Sequence, residues 1–358
     1  MTIEQSAVPD LLPTGALRWP ALPNLRGRLS SLVEDFRSAL RQRGYAEIPA
    51  VPVTARVDPT VRFVGSVVSV LKSVLLEERI PPGGVWLAQP ALRTMNLQHA
   101  RDPKKNPRWP SYFMQLGALA PLESRHVAAE GALAFLDRQV PGCSRRLVLQ
   151  VPVEDEDLAR LHPPGLSTYL DPTGSERYRH RYGVPGLVGR TLNYAIRGGG
   201  GAVHPVGNFI LLELSGRPIA VELAFGPSNL LARLEGLELP IQATPAAEAV
   251  PLRDWAHVRL ADVLVPAVVL GREGLRPRGS GRHRVVRGYL QALSTIRRQA
   301  GLSLDTLHAY ADRFLQADPP AVADLPARIC RYLAAFEELE ADATLDPARR
   351  NELAAESF

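Results

Sequence analysis

The chain predicts an α+β fold, and three features carry that expectation. Short apolar runs bounded by Gly and Pro read as strands at 85–88, 112–114, 208–214 and 218–224. Ahead of them, Leu29, Leu32, Val33, Phe36 and Leu40 recur at three- and four-residue spacing, and Gly44 suits a C-cap, so 25–44 reads as an amphipathic helix. From Arg253 onward the pattern is helical, over 253–270, 281–300, 303–315 and 323–339. The expected arrangement is an antiparallel sheet flanked by helices, followed by a small all-helical domain. The boundaries are an arm over 1–24, a mixed domain over 25–245 and a helical domain over 246–358.

Composition narrows the class. At 358 residues the chain can bury one large core or two ordinary ones, and 46% hydrophobic with 22% charged residues describes a soluble globular protein. Cys143 and Cys330 are too few for a cysteine metal cluster or a disulfide framework, which points to a reducing cytoplasm. Met1–Glu4 lack the positive n-region and apolar run of a signal peptide, and no window holds about 18 uninterrupted apolar residues. The net charge of +5 favours an anionic partner. Lys72, Lys104 and Lys105 are the only lysines, so nearly all the positive charge is arginine. Richness in Arg, Ala, Gly and Pro can reflect genome composition, so where the charge sits says more than its total.

The most informative stretch is a predicted hairpin between Gln89 and Gly117. Arg93 stands at its root, and Arg101, Lys104, Lys105 and Arg108 crowd into eight loop residues. Arginine offers a planar fork of donors to phosphate oxygens and stays charged at any working pH, so such a loop can hold a polyphosphate. A solvated surface hairpin meets the same description.

Elsewhere a strand is expected over 46–53, helical pattern over 61–77, a helix over 123–139 and a strand over 145–153. The acidic run 154–157 reads as a solvated helix start. Residues 162–190, rich in Pro, Gly, Tyr and Arg, read as an insertion or an active-site loop. The glycines at 198–201 allow a close backbone approach to a ligand, or form a plain flexible loop. The second late strand runs through Gly226 into a helix from about Ser228. Eight histidines are scattered without ligand spacing, and no GxSxG, GxxxxGK[ST] or GxGxxG element stands between a strand and a helix. Cys143 has no paired histidine nearby and reads as structural.

Gln89, Arg93, Arg108, Tyr112-Phe113 and Leu116-Gly117 resemble, in order and spacing, motif 2 of the class II aminoacyl-tRNA synthetases, the alanyl-tRNA synthetases in particular. DPTVRF at 58–63, with Lys72 after it, resembles the segment following motif 1, and the strand-glycine-helix around Gly226 resembles motif 3. AHVRLAD at 256–262 and GLRPRGSGRHRVVRGYL at 274–290 resemble the opening of the helical tRNA-binding region. The likeness covers roughly residues 26–300, with no counterpart of the family's editing domain.

That resemblance implies a class II-type sheet binding ATP, Mg²⁺ and an amino acid. Arg93 would meet the α-phosphate, Arg108 the outer phosphates, and Phe113 and Gly226 the nucleotide. Glu222 would hold the substrate ammonium, and Asn193 and Gly201 would line the amino-acid pocket. Arg282, Arg284 and Arg287 would contact RNA. Four departures stand out. Asn229 replaces the motif 3 arginine, Met114 a glutamate on the second hairpin strand, Ala195 a pocket tryptophan, and Glu222 a shorter aspartate. The implied function is a ligase that forms an aminoacyl-adenylate and passes it to a tRNA, or to a small-molecule amine or carrier. The alternative is a non-catalytic paralogue that binds tRNA or regulates. Asn229 and Met114 speak for the second; Arg93, Arg108 and Glu222 speak for the first.

Overall fold

A computed structural model describes residues 22–140, 142–198 and 201–358. The arm expected over 1–24 lies outside these except for 22–24. Within them the chain is α+β. The sheet is built from β1 (Ala46–Glu47), β2 (Val85–Leu92), β3 (Tyr112–Pro121), β4 (Leu147–Pro152), β5 (Ser167–Asp171), β6 (Arg179–Arg181), β7 (Leu187–Arg197), β8 (Val203–Leu214) and β9 (Arg217–Phe225). Their spatial order is β1-β2-β3-β9-β8-β7-β4-β5, with β6 paired to β7. Neighbours run antiparallel except β1 beside β2 and β4 beside β5.

Period-two alternation gives the sheet two different faces. Trp86, Ala118, Tyr194, Phe209, Leu223 and Phe225 face one way, against helices α1 (Leu25–Arg41) and α3 (Arg125–Gln139). Phe36 of α1 meets Trp86, Phe135 and Phe225 edge-on at centroid distances of 5.9, 5.2 and 5.8 Å, the offset geometry that aromatic quadrupoles prefer. Leu87, Leu119, Ile210, Ala220 and Ala224 face the other way, under α2 (Val67–Leu76), which contributes Val67, Leu71 and Leu75. Gly117 lies beneath Val67, where a Cβ would come within 2.6 Å of its side chain. Helix α2 is only 10 residues long. Beyond α2 the same face carries the half-buried polar side chains Asn208, Asn193 and Gln150, and this polar stretch is the cleft face of the sheet.

A third core joins the two parts of the chain. Val53, Phe63, Leu92, Ala100 and Tyr112 pack with apolar residues of α7 (Trp255–Arg272), α8 (Gly281–Gln299), α9 (Leu304–Ala317) and α10 (Leu325–Ala341). Helix α7 is buried on every side from Val258 to Gly271, as an apolar-all-round helix at the centre of a bundle should be. The short helix α4 (Cys143–Arg146) precedes β4, α5 (Pro227–Leu234) and α6 (Pro245–Ala249) come between sheet and bundle, and α11 (Pro347–Glu356) ends the bundle. No helix among the described residues is long and apolar enough to cross a membrane.

Three local expectations are corrected. The strand expected over 46–53 stops at Glu47, because Pro49 and Pro52 cannot donate to a ladder. The Gln89 side chain takes over there, accepting from Val51 N at 3.0 Å and donating to Val51 O at 2.7 Å. The helical pattern over 61–77 becomes helix only from Val67, since 58–66 is spent on a turn around Asp58. The acidic run begins a 3-10 helix, yet Asp155 is buried and ion-paired to Arg179 and Arg190. Its charge serves the edge of the sheet and is not simply solvated.

Candidate active site

Glu222 sits on β9 in the cleft face, at the centre of the sheet. It is 2% exposed, and Tyr182 donates its hydroxyl hydrogen to Oε2 at 2.8 Å. Burial pushes the Glu222 carboxyl up to about 7, opposed by the Tyr182 hydrogen bond and the Arg93 charge. The same burial, with Glu222 beside it, drives the Tyr182 phenol well above its ordinary value. A buried carboxylate held near neutrality, with one neutral donor and no bonded cation, is a natural receptor for a ligand cation.

Arg93 follows β2 and shares this cleft. Its Nε donates to Gly65 O at 3.2 Å, and its guanidinium lies over the Phe113 ring, 5.1 Å from the centroid. The side chain is solvent-exposed, yet desolvation lowers its pKa against the pull of Glu222. Exposure and desolvation together describe a group on the floor of an open concavity. His180 is in the same position, its pKa lowered by desolvation and then by the Arg93 charge.

Tyr182 is delivered by the segment 162–190, and its backbone is pinned from below. Lys72 on α2 pairs with Asp58 and donates to Thr60 Oγ1 at 2.8 Å and to Tyr182 O at 2.6 Å. Burial alone would raise the Asp58 pKa, but the bonds from Lys72 and Thr60 together leave it below its ordinary value. Gly189 on β7 makes room for the segment, since a Cβ there would lie 2.9 Å from the Tyr182 hydroxyl. Neither Tyr182 nor Gly189 was singled out from the sequence. The signal available was a tyrosine in a Pro- and Gly-rich stretch.

Beyond Glu222 the same face carries Asn208 on β8, Asn193 on β7 and Gln150 on β4, each opposite the next. Asn208 donates to Asn193 at 2.7 Å, Asn193 to Gln150 at 3.3 Å, and Gln150 to Asp171 at 3.3 Å. Gly201 has a φ of +85°, with open space where a Cβ would stand, in the turn between β7 and β8; Gly199 and Gly200 lie outside the described residues. Gly226 caps α5, and a Cβ there would make only ordinary contact with Asn229. Asn229 donates to Pro205 O at 2.9 Å, so this residue, standing where an arginine was expected, serves the backbone of β8.

Arg108 lies elsewhere. With His99, Lys105, Arg259 and Asp262 it lines a cleft of about 570 Å³ between the hairpin loop and α7, which includes neither Arg93 nor Glu222. Helix α7 latches that loop. Asp262 accepts from Ser111 N at 2.6 Å, Ser111 Oγ at 3.0 Å and Asn96 at 2.9 Å. Arg259 donates to Pro103 O at 3.0 Å and Asn106 at 2.7 Å. Burial lifts the Asp262 carboxyl to about 6 against those bonds. Asp262→Asn keeps one acceptor for the buried Ser111 N–H and loses the charge, so a loss of about 1 kcal/mol is expected, read as a lowered urea midpoint with unchanged slope. An unchanged midpoint would show that the latch adds nothing to stability.

On α8, Arg282 donates to Thr54 O, Arg284 is exposed and Arg287 half-buried. The Arg284 and Arg287 side chains have no hydrogen-bond or ion-pair partner among the described residues. Those residues also contain no group of three or more His, Cys, Asp or Glu side chains able to hold a metal.

No family model matches the chain. No curated protein matches it either. Among solved structures it is similar to a candidate aspartyl-tRNA synthetase from Leishmania major Friedlin, at 11% identity and a TM-score of 0.39, covering 61% of this chain and 63% of that one. The chain thus spans less than two thirds of that relative. A pyrrolysyl-tRNA synthetase from Desulfitobacterium hafniense matches at 15% identity and a TM-score of 0.34, over 60% of this chain and 71% of that one. The asparaginyl-tRNA synthetase from Pyrococcus horikoshii, complexed with asparaginyl-adenylate, matches at 10% identity and 0.35, over 62% and 67%.

Proposed function

We propose that this protein is an amino-acid-activating ligase that forms an aminoacyl-adenylate from ATP and passes it to an acceptor. The observation that carries the reading is the pairing of Arg93 with Glu222 across one open cleft: an exposed guanidinium for phosphate beside a buried carboxylate for an ammonium. Supporting it is the ordered likeness to class II motifs, alanyl-tRNA synthetase in particular. Residues 25–245 form the catalytic part on this reading, and 246–358 the helical part.

In the reaction the substrate carboxylate attacks the α-phosphorus of ATP in line, an oxygen–phosphorus bond forms, and pyrophosphate leaves. The chain supplies no nucleophile. Glu222 and Tyr182 fix the amino group, and Arg93 holds the phosphoryl oxygens as charge develops on them. Phe113 keeps the guanidinium flat and in place. The direct test is pyrophosphate exchange into ATP across a panel of amino acids, with and without tRNA. Exchange that depends on one amino acid is expected. No exchange with any amino acid would leave a non-catalytic, RNA-binding role, the reading that Asn229 and Met114 favour.

A tRNA is proposed as the acceptor through the arginines of α8. Affinity should then fall with salt at about −0.9 per phosphate contacted, if duplex RNA behaves like B-DNA. Replacing Arg284 and Arg287 together by Ala should flatten the slope by about two contacts. Filter binding at low salt decides: no retention of tRNA by micromolar protein removes this partner and leaves a small-molecule amine or carrier.

A further inference from the structure

The functional side chains share one face of the sheet. Arg93 follows β2 and Phe113 lies on β3, while Glu222 belongs to β9, Asn208 to β8, Asn193 to β7 and Gln150 to β4, which is the spatial order of those strands. A substrate whose ammonium meets Glu222 and whose carboxylate faces phosphates at Arg93 has the neighbouring strands β8 and β7 open to its side chain, over Asn208 and Asn193. Asn208 stands opposite Ala224, two residues from Glu222 and one strand over. At roughly 4.8 Å between strands and 3.4 Å per residue, the backbones are about 8 Å apart, within reach of a short side chain.

The amide row has a fixed direction, because a carboxylate closes it. Asp171 accepts only; Tyr178 donates to it at 2.6 Å, Thr173 donates through N and Oγ1, and Arg177 pairs with it. Gln150 must present its nitrogen to Asp171, so its oxygen takes Asn193, and the Asn193 oxygen takes Asn208. Each of the three amide nitrogens has two hydrogens and spends one in this row. All three residues are half-buried, open to the cleft. Thr191, one step along the same face, is 1% exposed with its hydroxyl unpaired among the described residues. The row thus offers spare amide donors, and among the described residues no cation is bonded to Asn208, Asn193 or Gln150.

We infer that the substrate side chain carries a neutral oxygen acceptor, a hydroxyl or a carboxamide, which the Asn208–Asn193–Gln150 row reads. This deepens the proposed function and rests on its assignment of Glu222 to the ammonium. An apolar side chain would strip water from those donors and return nothing, which a hydrogen-bonding site rejects strongly. A carboxylate side chain would find no countercharge, since Arg177 is already paired with Asp171.

The test is calorimetric binding of free amino acids in the presence of a non-hydrolysable ATP analogue. It reads recognition without requiring chemistry. Serine, threonine, asparagine or glutamine should bind about tenfold or more tightly than alanine, valine or aspartate. Asn208→Leu and Gln150→Met should each erase most of that preference while the ATP analogue binds as before. Gln150→Met is the safer variant, being unbranched and close in size; thermal unfolding verifies both. Alanine or valine binding as well as the polar set, selectivity unchanged in the folded variants, or no amino acid binding at all would each overturn the inference. Selective polar binding without pyrophosphate exchange would uphold it and remove only the adenylation step.

Discussion

Glu222→Gln is expected to lower kcat/KM for amino-acid activation about 30- to 100-fold while leaving ATP affinity nearly unchanged. The carboxylate is buried and receives one neutral hydrogen bond, from Tyr182 at 2.8 Å. A substrate ammonium would turn it into a charge-assisted pair, worth about 2–3 kcal/mol over the amide, and each ~1.4 kcal/mol is tenfold. The pH dependence sharpens the test. With the Glu222 carboxyl pushed up to about 7 by burial, only the ionised fraction attracts the ligand. Amino-acid affinity should therefore climb as pH rises through about 7 and level off above it, and the climb should vanish in Glu222→Gln. Stability runs in the opposite sense. The raised carboxyl favours folding fully below its ordinary value of 4.5, and that contribution is lost as pH rises through about 7. Activation unimpaired in the variant would show that the ammonium is held elsewhere.

Arg93→Ala should weaken ATP binding about 10- to 100-fold by calorimetry. Among the described residues the Arg93 side chain makes one hydrogen bond, to Gly65 O at 3.2 Å, and stacks on Phe113, which leaves the outer face of its fork free for a phosphate. Charge-assisted bonds of that kind contribute about 1.5–3 kcal/mol. Because Gly65 O is near solvent, the variant should fold with little change in its melting temperature. Equal ATP affinity in the variant, or none in the parent protein with amino acid and Mg²⁺ present, refutes the nucleotide assignment.

Periodicity made much of this fold legible. Leu32, Phe36 and Leu40 of α1 are buried as their spacing requires, and β8, β9 and the helices from Trp255 onward lie close to their expected spans. Glu222 was legible only through the motif 3 resemblance, as the acidic residue near the end of the strand before Gly226. The partners that give it meaning were not. Tyr182 sits in a segment without periodicity, and although Asp58 and Lys72 fall in one likened segment, their ion pair 14 residues apart has no signature in the spacing. Asn208, Asn193 and Gln150 come together only through the pairing of β8 with β7 and β7 with β4, which one strand's sequence does not encode. Asp155 was misread for a related reason: four consecutive acids look solvated until Arg179 and Arg190 arrive from β6 and β7.

The shared third core changes how the chain can be divided. A cut at 245 would leave Phe63, Leu92 and Tyr112 facing water, and Ser111 N would lose the Asp262 carboxylate that buries with it. The hairpin bearing Arg93 at its root would then be a sticky, half-solvated edge, and an isolated N-terminal piece should aggregate before it binds anything. The helical bundle is the other half of the hairpin loop's foundation. Whatever docks on α8 therefore presses on the same packed unit that seats Ser111 and, one residue on, Tyr112.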